Sequence, residues 1–137
     1  MHAFIVSDHE PTSTQVREVL LREGLDCPAS HVLALDQAVE KLGGAQADVV
    51  VMVLSPAVER ALGVLRQLNG TMQTRFLTLG PASEPKLILQ ALRDGAHQYL
   101  DEADPVSELT AALKRLRTET GQVETGRVIA VLAPSGG

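Results

Sequence analysis

Apolar runs alternate with amphipathic stretches along most of the chain, and this order predicts strand, helix, strand, helix, repeated to about residue 117. The longest run lies within Ala47-Asp48-Val49-Val50-Val51-Met52-Val53-Leu54-Ser55-Pro56. It is rich in β-branched residues and has no alternating polar side, so it predicts a strand buried on both faces, at the centre of a parallel sheet. In open parallel sheets the carboxyl ends of the strands border the crevice where ligands bind. The residues expected there are Val53, Leu54 and Ser55, and the first two are hydrocarbons.

The other elements follow from the same pattern. Ala3-Phe4-Ile5-Val6 predicts the first strand, with Asp8-His9-Glu10 at its end. A helix opening at Pro11-Thr12-Ser13 carries Val16, Val19 and Leu20, and Gly24 stops it. A short second strand is expected between Cys27 and Leu35. Asp36 is expected to cap a helix through Ala38, Val39 and Leu42, closed by Gly43-Gly44. Pro56 is expected to start a third helix bearing Ala61, Leu62, Leu65 and Leu68, with Ser55 as its cap. Arg75 to Leu79 predicts a fourth strand, Pro85 to Gly95 a fourth helix, Gln98 to Leu100 a fifth strand, and Asp104-Pro105 the start of a last helix with Leu109, Leu113 and Leu116. Four helices thus open at a proline, which suits a first turn because its missing N–H has no intrahelical partner there.

Residues 1–118 form one predicted domain and 119–126 a polar linker. Residues 127–137 return to an apolar strand followed by Pro134-Ser135-Gly136-Gly137, a strand without its helix, so the chain is expected to stop just inside a second domain.

Composition narrows the function. With 12 Lys and Arg against 17 Asp and Glu, the net charge of −5 argues against nucleic acid as a partner. Two Phe, one Tyr and no Trp leave a core of aliphatic residues. A single cysteine, Cys27, excludes an internal disulfide and fits a reducing compartment. No segment approaches the ~20 apolar residues of a membrane span, and a cytoplasmic location is expected. Asp8, His9, Glu10 and Glu102 could meet at one sheet edge, but an acidic loop near a helix N-terminus explains them without a metal. No cofactor and no catalytic residue are expected; His2, His31 and His97 read as surface or packing residues.

Ser7-Asp8-His9-Glu10-Pro11 after the first strand and Arg93-Asp94-Gly95-Ala96-His97-Gln98-Tyr99-Leu100 near the fifth resemble the receiver (CheY-like) domain of two-component response regulators. The resemblance implies an α/β, flavodoxin-like three-layer sandwich on a five-stranded parallel sheet. In that family a strand-three Asp accepts a phosphoryl group, two acidic residues after strand one hold Mg²⁺, a Thr or Ser ends strand four, and a Lys follows strand five. Here the resemblance puts Val53 at the acceptor position, Asp8 and His9 at the acidic pair, Gly80 at the hydroxyl position and Glu102 at the Lys position. Val53 has no oxygen to phosphorylate or to ligate a hard cation, Gly80 has no hydroxyl, and Glu102 reverses the charge. A shift of one in register would bring Ser55 near the crevice. The reading is a pseudo-receiver without phosphoryl chemistry. Its rival is a phosphoaccepting receiver using Asp8 or Asp48. Tyr99 matches the aromatic residue that moves with phosphorylation in active receivers, and is expected here to be a packed strand residue with its hydroxyl at the surface.

Gly126 to Gly137 resembles the first strand and the opening of the phosphate loop in ParA/MinD-type ATPases, with Ser135, Gly136 and Gly137 as its truncated start. A receiver-like domain ahead of such an ATPase is the arrangement of pilus-assembly proteins of the CpaE/TadZ kind. The resemblance implies a dimerisation or localisation module, with the ATPase domain as partner in the parent chain. A third reading is a fragment of a P-loop ATPase whose activity lies beyond residue 137.

In the fourth helix Ile88, Ala91 and Leu92 are expected to form the core stripe, while Leu87 and Leu89 widen the apolar arc beyond what one sheet face needs. Receivers often dimerise through helix four, strand five and helix five. The expected surface is a two-fold contact of Leu87 or Leu89, with Lys114 and Arg115 opposite Asp94 and Asp101, and with Tyr99 between.

Overall fold

The computed structural model describes residues 1–119. Ser135, Gly136, Gly137 and the expected second-domain strand lie outside the described residues.

Five strands form one parallel sheet in the order β2-β1-β3-β4-β5: β1 is Ala3–Val6, β2 Val32–Leu33, β3 Val49–Val53, β4 Arg75–Gly80 and β5 Gln98–Asp101. All pairings are parallel, with Val6 opposite Met52, Val53 opposite Leu79, and Gly80 opposite Asp101. The helices are α1 Glu10–Arg22, α2 Leu35–Leu42, α3 Val58–Thr71, α4 Pro85–Arg93 and α5 Pro105–Glu119. This is the three-layer α/β architecture expected from the alternation.

The sheet separates two aliphatic cores, because successive side chains of a strand point to opposite faces. Val49, Val51 and Val53 pack with Val16, Val19 and Leu20 of α1 and with Leu109, Leu113 and Leu116 of α5. Val50, Met52 and Leu54 pack with α2 and α3 residues and with Ala91 of α4. Every β3 residue is buried, as a strand covered on both sides requires. At the end of α4, Gly95 takes φ +122 with its missing Cβ facing Asn69, so a side chain there would collide as well as strain the backbone.

Some boundaries differ from expectation. The third helix starts at Val58 rather than Pro56: its N-cap is Ala57, and the Ser55 hydroxyl donates to Glu102 Oε1 at 2.7 Å instead of capping. The second helix starts at Leu35, whose N–H donates to Asp8 Oδ1 at 3.0 Å, so Asp36 lies inside the first turn rather than at the cap. The second strand keeps only Val32 and Leu33, since Ala29–His31 forms a 3₁₀ turn with the His31 ring stacked on Phe4 at 3.8 Å. Pro11, Pro85 and Pro105 do stand in the first turns of their helices.

Candidate functional site

The carboxyl ends of β1, β3, β4 and β5 meet at one edge of the sheet, where the order reverses around β1 and β3. Val53 closes β3 there, 2% exposed and packed in the α1–α5 core with Leu79 and Leu100. The next residue, Leu54, is fully buried in the other core, and its N–H donates to Leu79 O at 2.8 Å. The floor of this crevice is therefore hydrocarbon held in register by backbone bonds.

The polar residues around it are turned to separate partners. Asp8 accepts the Leu35 N–H through Oδ1, and its Oδ2 lies 3.9 Å from Arg60 Nη1. His9 is the N-cap residue of α1, with Nδ1 2.7 Å from Thr12 Oγ1. Ser7 Oγ accepts the His9 N–H at 2.9 Å. Glu102 accepts the Ser55 hydroxyl, and its N–H donates to Gly80 O at 3.0 Å. The Ser55–Glu102 bond ties the loop after β3 to the loop after β5 across the end of β4. Among the described residues no three His, Cys, Asp or Glu side chains are grouped to hold a metal ion. The donor set does not suit a hard divalent cation, which needs several converging oxygens.

Gly80 and Tyr99 are diagonal neighbours on one face of the sheet, since Tyr99 pairs with Thr78 two residues earlier in β4. Tyr99 is half-buried against the α2–α3–α4 core, and its hydroxyl donates to Pro81 O at 2.9 Å. The hydroxyl, expected at the surface, is held in a part-buried bond to the Pro81 carbonyl. Burial, with lesser contributions from Glu102, Glu84 and Asp101, pushes the phenol up to about 12.

The second candidate region is the β5 edge of the sheet, where β5 packs on both α4 and α5. Leu89 is 52% exposed and Leu92 43%, three residues apart on one side of α4. Val106, near the start of α5, is 36% exposed. The expected core stripe of Ile88, Ala91 and Leu92 is corrected. Only Ala91 is buried, Ile88 is half-buried, and Leu87 packs against the core in place of Leu92. The α4 helix faces the end of a small sheet, so one narrow line of contact suffices and the rest of its apolar arc is left outward. Asp94 is also not a surface residue. It is 6% exposed, accepting from Arg66 Nε at 3.1 Å and from Gln90 Nε2 at 3.1 Å. Arg115 reaches back to Gln98 Oε1 at 2.6 Å, Lys114 is exposed, and Asp101 is half-buried with Oδ1 accepting the Ala103 N–H.

Sequence reasoning missed Leu92 and Val106 as exposed residues and the Ser55–Glu102 bond. The three-residue spacing of Leu89 and Leu92 was a usable signal, whereas a bond between residues 47 apart in sequence leaves no local trace.

No protein-family model matches the chain, and no curated protein matches it. Solved structures do. The receiver domain of a Francisella response regulator, 1452, is 16% identical with a TM-score of 0.73, over 87% of this chain and 98% of that one. A Burkholderia pseudomallei response regulator with a phosphorylated aspartic acid, calcium ion and citrate is 20% identical with a TM-score of 0.68, over 93% of this chain and 76% of that one. A CheY-like protein, TadZ, from Pseudomonas aeruginosa PAO1 is 19% identical with a TM-score of 0.66, over 96% of this chain and 98% of that one. At such identities the likeness carries the architecture: this chain has the flavodoxin-like fold of response-regulator receiver (CheY-like) domains.

Proposed function

We propose that the chain is a receiver-fold interaction module that takes no phosphoryl group at the end of β3 and works by binding protein. The observation that carries this is Val53, an aliphatic residue 2% exposed at the strand end where receivers have their acceptor. Neutral hydrocarbon there supplies neither nucleophile nor cation ligand. The Ser55–Glu102 bond supports the same reading, since it places a carboxylate beside the strand ends, where a phosphoryl group would need positive charge. No residue is assigned a catalytic role.

The partner surface proposed is the α4–β5–α5 edge, used between two copies of the chain. Leu89 and Leu92 of α4 supply the apolar centre and Lys114 of α5 an exposed charge. The role proposed with it, dimerisation or localisation of an ATPase domain, rests on the resemblance of residues 126–137 to the opening of a phosphate loop; the TadZ protein shares the CheY-like fold. No described helix is long and apolar enough to cross a membrane.

Sedimentation of the chain at tens of micromolar tests the surface: a dimer is expected, and a monomer contradicts it. The likeness to a neighbour with a phosphorylated aspartic acid keeps one rival in view, phosphorylation at Asp8 or Asp48. Asp8 is exposed at the carboxyl end of β1, whereas Asp48 precedes β3 at the opposite edge and accepts the His2 N–H at 2.7 Å. Treatment with acetyl phosphate and Mg²⁺, read residue by residue by peptide mass spectrometry, separates the two readings.

A further inference from the structure

We propose that a cleft at the amino edge of the sheet, opposite the crevice described above, binds a small zwitterion: an α-amino acid with an apolar side chain. The cleft holds about 500 Å³, within the range of about 300–1,000 Å³ usual for small-molecule sites. It opens where β3, β4 and β5 begin, beside the end of α3. Asp48 and Thr74 stand one step before Val49 and Arg75, the first pair of β3 and β4. His97 stands one step before β5, its N–H donating to Phe76 O at 2.7 Å. The ladder thus fixes the backbone of each polar residue used here. Asn69, on the α3 wall, is fixed too, because its side chain fills the space where Gly95 has no Cβ.

The chemistry of the lining selects the ligand. Thr74 Oγ1 is buried without a hydrogen-bond partner, and it is the one buried side-chain nitrogen or oxygen among the described residues in that state. Such a group lowers stability until something binds it, and native proteins keep few of them. Beside it Arg75 Nη1 donates to His97 Nε2 at 2.9 Å. A guanidinium can only donate, so the neutral ring carries its proton on Nδ1. Arg75, His97 and Thr74 therefore make a donor-rich, positively charged end that suits a carboxylate. Asp48 lines the same cleft; its Oδ2 accepts the His2 N–H at 2.7 Å, and a carboxylate keeps further lone pairs for an ammonium group. Met1 and Met72 supply the apolar wall, and thioether side chains adapt to an aliphatic group. Opposite charges in one cleft favour a zwitterion over a simple anion or cation. None of this depends on the interaction reading above.

The test is a titration of the chain with L-leucine, followed in ¹H–¹⁵N correlation spectra. Saturable shifts are expected at the amides of Thr74, Arg75 and His97, with none at Asp8 or Ser55 in the crevice. L-Leucinamide, which lacks the carboxylate, and N-acetyl-L-leucine, which lacks the ammonium, should each bind about tenfold more weakly or worse. Thr74→Val should weaken L-leucine about threefold, the loss of one neutral hydrogen bond, yet leave the free chain no less stable in urea, because the hydroxyl has no partner there. Asp48→Asn should weaken L-leucine but not N-acetyl-L-leucine. The proposal is overturned by an absence of saturable shifts at the cleft, by shifts confined to the crevice, by either analogue binding as well as L-leucine, or by unchanged affinity in both variants. A free chain destabilised by Thr74→Val also overturns it, since the hydroxyl would then have a partner already.

Discussion

Three residues, Tyr99, Cys27 and Asp94, set the chemistry that can be read one side chain at a time. The Tyr99 phenol ionises at about 12 in the fold against an ordinary 10.0, so the folded chain holds its proton more tightly than the unfolded chain. The stabilisation is complete below pH 10 and is lost as the pH rises from 10 to 12. Urea melts across that window should show stability falling with pH, and Tyr99→Phe should flatten this part of the fall. Cys27, 1% exposed, has its thiol pushed above 9.0 mainly by burial, partly offset by Arg17. Iodoacetamide at pH 8 should therefore alkylate it far more slowly in the native chain than in urea. Asp94, taken from the sequence as a surface charge, is instead the acceptor for Arg66 and Gln90 under α4. Asp94→Ala should cost about 2 kcal/mol in urea unfolding, within the range for a buried, charge-assisted hydrogen-bonding group, without changing association. The misreading has a plain cause: the Asp-Gly after a helix looks like an exposed turn, and only the packing of α3 beside it shows the carboxylate to be covered.

The elements were legible where periodicity is strong and illegible where tertiary partners decide. β1 runs from Ala3 to Val6 as expected, and α4 and α5 open at Pro85 and Pro105. Pro56 gives the same local signal but lies before α3, because Ser55 is drawn to Glu102 and leaves the helix to begin at Val58. In α4 the sequence shows a wide apolar arc but not which part of it meets the sheet. The fold turns Leu87 and Ala91 inward and Leu89 and Leu92 outward. If those outward leucines are the contact between copies, Leu89→Glu with Leu92→Glu should shift sedimentation to the monomer. Unfolding stability of the separated chain should stay within about 0.5 kcal/mol of the parent, as for exposed sites generally. A dimer that survives both charges places the interface elsewhere.

For the whole molecule, the sequence carries the architecture because each level agrees: a strand buried on both faces, helices closed by glycines, and two aliphatic cores split by strand alternation. The candidate site was legible mainly as an absence, in the hydrocarbon of Val53 and the bare Gly80. The positive features that fill it, the Ser55–Glu102 bond and the Tyr99–Pro81 bond, join residues distant in sequence and are visible only in the fold. The central claim is that a receiver fold is used here with its covalent chemistry removed and its binding edge kept. It is tested most directly by intact-mass spectrometry of the chain after incubation with acetyl phosphate and Mg²⁺. The mass is expected to be unchanged; a stable gain of one phosphoryl group, mapped to an aspartate at the crevice, would contradict the account.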